Sequence, residues 1–363
     1  MKFSFEQIWI DEDTRNEPLT SEILEKLPYA KILEGPDVAE AARTLALESD
    51  PLSGGKRILR LVKHRGTFVK PCPGTPEYVC CGLKIIHVGQ GCPMDCRYCA
   101  LQAYFNRPVL EVFVNFDELL DEVERYLQRE SGKFHRFCTG EFTDSLALDP
   151  LTGMAKRLTA LFSRFKNASL EIKTKTDLIA TLLEETPEGR IVLSFSVNSK
   201  LVSRKEEIRS APLERRLAAA VLAQDRGYSL GFHFDPIIPH VGWEEAYTET
   251  IDDIFQLIAP KAIAWISLGV LRFVPKLKHM SSARFGVIPY FHDGFVRGLD
   301  GKSRLHVDRR ITIYRSLVRK IRQHSPETTI YLCMESPYVW QEAMGIRMDT
   351  SAHLAGFLDA ALI

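Results

Sequence analysis

The chain has 363 residues, 45% of them hydrophobic, and a formal net charge of zero. This length and composition fit one large or two ordinary globular domains with a buried core. They exclude a membrane-spanning chain, because no apolar run reaches the length of a transmembrane helix. The first six residues lack the apolar core of a signal peptide. Eight cysteines without an export signal favour reduced thiols and metal ligation over disulfides. We expect a cytoplasmic protein without membrane association.

Residues 1–80 predict an irregular α/β lead-in region, and apolar strands then alternate with helices up to residue 271. Apolar strands without polar alternation are typical of a parallel sheet covered by helices on both faces. Alternating strands and helices imply right-handed crossovers and a parallel barrel. We therefore predict an α/β fold with an incomplete parallel barrel over 81–271 and a C-terminal α/β cap over 272–363. The predicted strands are 83–88, 109–114, 135–139, 169–174, 190–196, 228–234 and 262–270, and the predicted helices are 116–130, 151–165, 178–185, 212–226 and 244–257.

A run of three cysteines follows the first predicted strand. Cys92, Cys96 and Cys99 have the spacing C-x3-C-x2-C. Three thiolates on one loop can bind three irons of a [4Fe–4S] cluster and leave the fourth iron open. The alternative is a zinc site completed by His87 or another cysteine, but zinc sites favour paired C-x2-C units and this run contains one. We therefore predict a [4Fe–4S] cluster.

Polar residues follow several later strands, where an α/β barrel gathers its chemistry. A glycine after the third strand lets the backbone approach a ligand closely, and the acid after it can pair with an ammonium group. A rim lysine can hold a carboxylate as a compact point charge, for which Lys173 is the alternative to Lys175. The alternative for Ser and Asn is capping of strand ends. The candidate ligand-binding residues are Gly140 and Glu141, Lys175, Ser196 and Asn198, and Asp235.

The cysteine spacing, with the aromatic Tyr98 before the last cysteine, resembles that of radical S-adenosylmethionine enzymes. Over most of its length the chain further resembles the spore photoproduct lyase family of DNA-repair enzymes. The resemblance implies an incomplete barrel, a [4Fe–4S] cluster with S-adenosylmethionine, DNA with a thymine photolesion as substrate, and a flavodoxin- or ferredoxin-type electron donor. The matching segments include Arg107-Pro108, Phe137-Cys138-Thr139, Thr174-Lys175, Phe195-Ser196-Val197-Asn198 and His240 to Glu245.

The resemblance also implies a mechanism. A deoxyadenosyl radical takes hydrogen from the methyl-bridged thymine dimer, the bridge fragments, and a cysteine thiol returns hydrogen. Cys138 matches that donor, and Tyr98 is the second candidate catalytic residue. The alternative for Cys138 is a small buried hydrophobic residue. Ala100 stands where the family carries a tyrosine that relays hydrogen, so we expect S-adenosylmethionine to be consumed in each turnover.

The C-terminal part carries a basic segment, since residues 272–322 contain 13 Lys or Arg and 3 Asp or Glu, with interleaved aromatic residues. Such a segment can neutralise phosphates and stack on bases. The alternative is a solvated helix face. Part of the segment resembles the region that wedges DNA open in the family. The candidate DNA contacts are Lys302, Arg304, Arg309 and Arg310.

Two further questions stay open at this point. Cys72, Cys80, Cys81 and Cys333 are expected to be buried free thiols, and the alternative is a second metal site. The alternatives to lesion repair are a radical enzyme with the same cofactors on another substrate, and a non-catalytic iron–sulfur protein that binds DNA or senses redox state.

Overall fold

The computed structural model describes residues 3–184, 187 and 190–362. Its strands are β1 (Gln7–Ile10), β2 (Lys31–Glu34), β3 (Ile58–Val62), β4 (Val69–Pro71), β5 (Lys84–Ile86), β6 (Gly89–Gln90), β7 (Asp95–Cys96), β8 (Leu110–Phe113), β9 (His135–Cys138), β10 (Ala168–Thr174), β11 (Arg190–Ser196), β12 (Glu207–Ile208), β13 (Ser229–Ile237), β14 (Ile263–Val270), β15 (Arg272–Phe273), β16 (Phe295–Arg297), β17 (Ser303–Leu305) and β18 (Ile330–Leu332).

Its α-helices are α1 (Pro18–Lys26), α2 (Pro36–Ala46), α3 (Pro51–Gly55), α4 (Leu101–Tyr104), α5 (Phe116–Arg129), α6 (Asp149–Thr152), α7 (Met154–Ser163), α8 (Ala180–Leu183), α9 (Lys200–Glu206), α10 (Leu213–Asp225), α11 (Trp243–Leu257), α12 (Pro275–Phe285), α13 (Val307–His324), α14 (Pro337–Met344) and α15 (Ser351–Asp359). None of the helices in the described ranges combines the length and the apolar character that crossing a membrane requires.

The main sheet has eight strands in the order β18-β14-β13-β11-β10-β9-β5-β4. Seven of them run parallel, and β4 pairs antiparallel with β5 at one edge. In the described residues the two edge strands, β4 and β18, do not pair with each other. Helices such as α7, α10 and α13 pack against the parallel strands. The sheet is therefore the incomplete parallel barrel that the sequence predicts.

A second sheet, with the order β2-β1-β3-β8-β6, lies in the N-terminal part. The strand predicted over 109–114 is present as β8, but it pairs with β3 in this sheet and not with the barrel strands. Conversely, β18 from the C-terminal region completes the barrel by pairing with β14. The sheets thus share strands across the predicted boundaries near residues 80 and 271. Apolar runs predict that a strand forms, but not which distant strand it joins.

The predicted helices follow their apolar periodicity. In α5, Leu119, Val123 and Leu127 are buried on one side, four residues apart. The helix predicted over 151–165 is divided into α6 and α7 by Gly153, whose φ of 60° ends the first helix in the left-handed conformation. The helix predicted over 178–185 forms as the shorter α8, and position 185 lies outside the described residues.

Candidate active site

The loop that begins at Gly91 and carries Cys92, Cys96 and Cys99, here called the cysteine loop, lies where the two sheets meet. It follows β6, which pairs with β8, and it contains β7, which pairs with β12 and places Cys96 opposite Glu207. Gly91 begins the loop with a φ of 82°, a conformation that favours glycine, and its N–H donates to the Phe142 carbonyl at 3.0 Å. All three thiols are free, with Cys96 buried and Cys92 and Cys99 half-buried. The loop is therefore anchored at its start to the segment that follows β9.

The chemistry of these thiols fits an iron–sulfur cluster. Burial raises the pKa of Cys92 to about 12, and burial also raises the pKa of Cys96. Such thiols become thiolates only when a nearby positive charge such as a metal compensates for the lost hydration. Within the ranges that the structure describes, no three Cys, His, Asp or Glu side chains surround a point where a single metal ion could sit. A four-iron cluster takes each thiolate on a different iron and separates its ligands more widely.

His87, the fourth ligand of the zinc alternative, is buried in an aromatic cluster instead. Its ring lies 4.9 Å from that of His64 and 4.7 Å from that of Phe142. Its Nδ1 is 3.1 Å from the Lys70 ammonium, and its Nε2 has no hydrogen-bond partner among the described residues. Burial lowers the pKa of His87 to about 3, so the ring is neutral.

Cys138 ends β9 inside the barrel. The side chain is fully buried and packs with Leu83, Ile85 and Phe142. Its sulfur accepts a hydrogen bond from the Gly140 N–H at 3.2 Å. Burial raises the pKa of this thiol, so it keeps its proton. An intact S–H bond is the form that can donate a hydrogen atom.

The turn after Cys138 holds its acid in an ion pair. The Glu141 carboxylate accepts from the Lys173 ammonium. Although burial would lower the pKa of Lys173, Glu141 and the neighbouring Cys138 and Glu171 raise it, so the pair is ionised. A Cβ on Gly140 would lie 3.0 Å from the Lys173 carbonyl and 3.1 Å from the Ser145 hydroxyl, so a larger residue would require these neighbours to shift. Glu141, predicted to bind an ammonium group, therefore already binds one from the chain.

Lys175 has a different environment. Its ammonium lies 6.0 Å from the centre of the Tyr98 ring, and no carboxylate of the described residues lies within ion-pair distance of it. Its backbone N–H donates to the buried Asp144 carboxylate at 2.7 Å, which fixes the strand end. Lys175 is thus the rim lysine that can hold a ligand carboxylate, and Lys173 is not.

Tyr98 and Asn198 belong to a buried network around Glu207. The Glu207 carboxylate accepts from the Tyr98 hydroxyl, from Arg216 at 2.5 Å and from Asn198 at 3.4 Å. The Asn198 amide also donates to the Pro236 carbonyl at 3.0 Å. Burial would raise the pKa of Glu207, but Arg216 together with Lys175 and Tyr98 lowers it. These contacts hold Tyr98 and Asn198 within the buried network.

The two remaining candidates differ in their partners. The Ser196 hydroxyl makes no hydrogen bond to another described residue, although its carbonyl accepts from Arg216 at 2.9 Å. Asp235 accepts from both ends of the Arg272 guanidinium at 3.0 and 3.1 Å. Burial would raise the pKa of Asp235, but Arg272 lowers it. Arg272 also donates to the Cys333 sulfur at 3.3 Å.

Sequence reasoning missed a buried polar network inside the barrel. One oxygen of Glu171 accepts from Ser194 at 2.5 Å and from Trp265 at 3.0 Å, and lies 2.7 Å from His233 Nε2. The other ring nitrogen of His233 lies 2.7 Å from the Ser267 hydroxyl. Glu171 is the cross-strand neighbour of Cys138. The available signal was the alternation of polar residues along strands that otherwise look uniformly apolar.

Comparison with known proteins identifies the group to which this barrel belongs. The family model for spore photoproduct lyase matches residues 80–285, which include the cysteine loop, Cys138 and the barrel strands up to β14. The chain belongs to the spore photoproduct lyase family. It is 33% identical over 165 residues to the spore photoproduct lyase of Bacillus subtilis, and the match covers 45% of this chain and 48% of that protein. The match thus spans about half of that relative's length.

Other family members match over longer ranges. A spore photoproduct lyase from a Geobacillus species is 26% identical over 267 residues, 73% of this chain and 74% of that protein. A solved spore photoproduct lyase complexed with dinucleoside spore photoproduct superposes with a TM-score of 0.80 at 23% identity, over 92% of this chain and 100% of that one. A variant with bound AdoMet and the dinucleoside spore photoproduct gives a TM-score of 0.79 at 22% identity, with the same coverage. These structures confirm the α/β fold with its incomplete parallel barrel.

The four basic candidates for DNA contact divide into two pairs. Lys302 and Arg309 lie at least partly in solvent, and Arg309 binds Asp293 at 2.9 and 3.0 Å. Arg304 is buried, binds Asp300 at 2.7 Å and stacks 3.8 Å from the centre of the Tyr78 ring. Arg310 is buried in a two-bonded pair with Glu335. The second pair stabilises the fold and does not face solvent.

The other cysteines are free thiols, as expected, but all four are half-buried where burial was predicted. The side chain of Cys80 hydrogen-bonds with those of Cys72 and Cys81. Cys72 and Cys81 also pack beside Cys138. Among the described residues these thiols do not form a metal site.

Proposed function

We propose that this protein is a radical S-adenosylmethionine lyase that repairs a thymine photolesion in DNA. One observation carries the proposal. The cysteine loop is hydrogen-bonded through Gly91 to the carbonyl of Phe142, and Phe142 packs against the buried cluster of Leu83, Ile85 and Cys138. The residues suited to binding a cluster and the residue suited to returning hydrogen therefore share one end of a barrel whose solved relatives are spore photoproduct lyases.

The cofactor side of the site uses few residues. Cys92, Cys96 and Cys99 would hold three irons of a [4Fe–4S] cluster. Lys175 and Ser196 are the rim side chains free of strong partners, and they would bind S-adenosylmethionine through its carboxylate and hydroxyl groups. When bound, the two cofactors supply a deoxyadenosyl radical for hydrogen abstraction. A low-potential donor of the flavodoxin or ferredoxin type would supply the electron.

Cys138 acts on the product side. After the bridge of the lesion fragments, the Cys138 S–H bond would break homolytically and its hydrogen atom would form a C–H bond on the thymine radical. One further electron from the same low-potential donor and one proton would then return the Cys138 thiyl radical to the thiol. Burial keeps this group a thiol, and the apolar packing of Leu83, Ile85 and Phe142 excludes water from it.

The decisive experiment measures repair and cofactor cleavage together. The reconstituted, reduced protein is mixed anaerobically with S-adenosylmethionine and with ultraviolet-irradiated DNA that contains the spore photoproduct. We expect restored thymine and about one deoxyadenosine per lesion, because Ala100 replaces the relay tyrosine. The Cys92/Cys96/Cys99 triple alanine variant is the control and should form neither product. Absence of thymine from wild-type protein that cleaves the cofactor would refute lesion repair.

One feature favours a second substrate in the same barrel. The pairs Glu141–Lys173 and Asp235–Arg272 make the barrel mouth strongly polar. Such a mouth suits a substrate with its own donors and acceptors, and another polar molecule would fit this description. The same assay separates the two: cofactor cleavage without thymine supports another substrate, and absence of cleavage by a fully loaded protein supports the non-catalytic alternative.

A further inference from the structure

Asp95, the last of the three residues between Cys92 and Cys96, is bound by two largely buried cationic side chains. Asp95 is buried, and both of its oxygens accept from Arg284 at 2.8 and 2.9 Å. On another side the Lys56 ammonium lies 3.6 Å from the same carboxylate. The side chains of Lys56, Arg284 and Asp95 are 12%, 6% and 8% exposed. Bonds of this kind are strong because the charges are shielded from water.

These cations come from opposite ends of the chain. Lys56 follows α3 in the N-terminal region, and its ammonium also donates to the Cys92 carbonyl at 2.8 Å and to the Met94 carbonyl. Arg284 is in α12, and it also binds Asp50, the residue that caps α3, at 2.8 and 3.0 Å. The cysteine loop thus lies between two segments that sequence analysis assigned to separate regions.

Neutral contacts from the same elements hold the backbone of the loop. The Gln102 amide donates to the carbonyls of Cys96 and Arg97 at 3.0 and 3.2 Å, and its own oxygen accepts from Arg284 at 2.5 Å. The Ser281 hydroxyl of α12 donates to the Arg97 carbonyl at 2.6 Å. Among the described residues, the hydrogen bonds of Arg284 go to Asp95 in the loop, to Gln102, which holds the loop backbone, and to Asp50, which caps the helix before Lys56.

We propose that Lys56, Asp95 and Arg284 form an electrostatic clamp that positions the cysteine loop and sets the reduction potential of the cluster it holds. The three are positioning residues, since none of them is a ligand. The proposal rests on the cluster that the proposed function requires, and it does not depend on the DNA lesion. Residues around a metal centre tune it through charge and hydrogen bonding.

The clamp predicts that removing its acidic residue and removing either of its cations shift the midpoint potential in opposite directions. Lys56 and Arg284 carry two positive charges, which Asp95 and Asp50 balance. A reduced cluster carries one more negative charge than an oxidised one, so extra positive charge nearby favours reduction. Asp95→Asn leaves a net positive charge beside the loop and should raise the midpoint potential. Arg284→Met and Lys56→Met leave a net negative charge and should lower it.

The test uses the full-length, cluster-loaded protein. The midpoint potential is measured by redox titration with electron-resonance detection, and the rate of iron release to a chelator reports how firmly the loop is held. All three variants should release iron faster than wild type, and Arg284→Lys should recover most of the wild-type rate. Arg157→Met is the control, because Arg157 forms a two-bonded pair with Glu22 far from the loop.

The outcomes separate the clamp from a general loss of structure. Disruption of the fold alone would shift the midpoint potentials of Asp95→Asn and Arg284→Met in the same direction, or would shift the potential of Arg157→Met as well. Such a result, or potentials equal to that of wild type in all variants, would overturn the proposal. Failure of the wild-type protein to take up iron would instead refute the proposed function. If Arg284→Met does not fold, Asp95→Asn still tests the direction of the potential shift. Arg284→Lys still tests whether a conservative replacement keeps most of the wild-type rate of iron release.

Discussion

At the scale of single residues, the barrel mouth shows how one neighbour decides what a side chain can do. Lys173 and Lys175 are two positions apart on the same strand end, and both point to the rim. Glu141 forms an ion pair with Lys173, whereas the Lys175 ammonium lies 6.0 Å from the centre of the Tyr98 ring and acts on Glu207 electrostatically, without an ion-pair contact among the described residues. Two lysines with the same sequence context therefore have different capacities to bind a ligand.

The first prediction follows from this difference. Lys175→Met should weaken the binding of S-adenosylmethionine by about 1.5–3 kcal/mol, the range for a hydrogen bond to a charged group. Lys173→Met should weaken it less, because that ammonium is already neutralised. Calorimetric titration of the cofactor into cluster-loaded protein measures both. Equal losses of binding free energy in the two variants would show that the Glu141–Lys173 pair opens to bind the cofactor.

The second prediction concerns Cys138. Cys138→Ala should still cleave S-adenosylmethionine, because the residue is not a cluster ligand, but the thymine radical should be trapped in abnormal products. Chromatography of the digested DNA, with deoxyadenosine measured in the same reaction, gives both quantities. Cys333→Ala is the matched control, since Cys333 is a half-buried thiol that accepts a hydrogen bond from Arg272. Normal thymine from Cys138→Ala would remove the residue from the mechanism.

At the scale of elements, sequence patterns predicted strands and helices better than they predicted partners. Strands β9, β10, β11, β13 and β14 and helix α5 form where their apolar runs indicate, whereas the short β12 was not predicted. The pattern did not show that β8 joins the N-terminal sheet or that β18 completes the barrel, because pairing depends on contacts between distant segments. The sequence pattern likewise showed the C-terminal arginines as one basic segment, although Arg304 and Arg310 are buried in ion pairs with Asp300 and Glu335.

That division leads to a prediction for the basic segment. Each phosphate contact contributes about −0.9 to the slope of log affinity against log salt. Replacing both Lys302 and Arg309 by Ser should therefore reduce the steepness of the slope by about 1.8 if each contacts one phosphate. Duplex DNA binding at several salt concentrations measures this change. An unchanged slope would place the DNA elsewhere on the surface.

Arg310 provides the contrasting case. Arg310→Met removes one partner of a buried pair and should destabilise the protein by about 3–5 kcal/mol. The salt slope of the fraction that remains folded should stay at the wild-type value. Urea unfolding and the same binding titration separate the two effects.

At the scale of the whole molecule, the polar barrel interior links stability to pH. Burial would raise the pKa of Glu171, but His233 together with Lys173 and Ser194 lowers it to about 2, from an ordinary 4.5. A carboxylate with a lowered pKa stabilises the fold above pH 4.5, and this contribution is lost as the pH falls from 4.5 towards 2.

Glu171→Gln should therefore be less stable than wild type at neutral pH and should lose less of its stability on acidification. The free energy of unfolding, measured by urea denaturation between pH 7 and pH 3, tests this. Parallel curves for the two proteins would show that other groups determine the acid sensitivity.

The late position of β18 also matters while the protein is being synthesised. Ribosomes add about 5–20 residues per second, and domains tend to fold from the N-terminus as the chain emerges. Strand β14 is complete at Val270, but its outer edge stays bare until Ile330–Leu332 emerges and pairs with Ile266 to Leu268. An open, apolar strand edge is a template for pairing with other nascent chains. Chains that are being synthesised on the same messenger RNA are therefore most prone to aggregate with one another during this interval. This is the stage at which a chaperone would protect the protein.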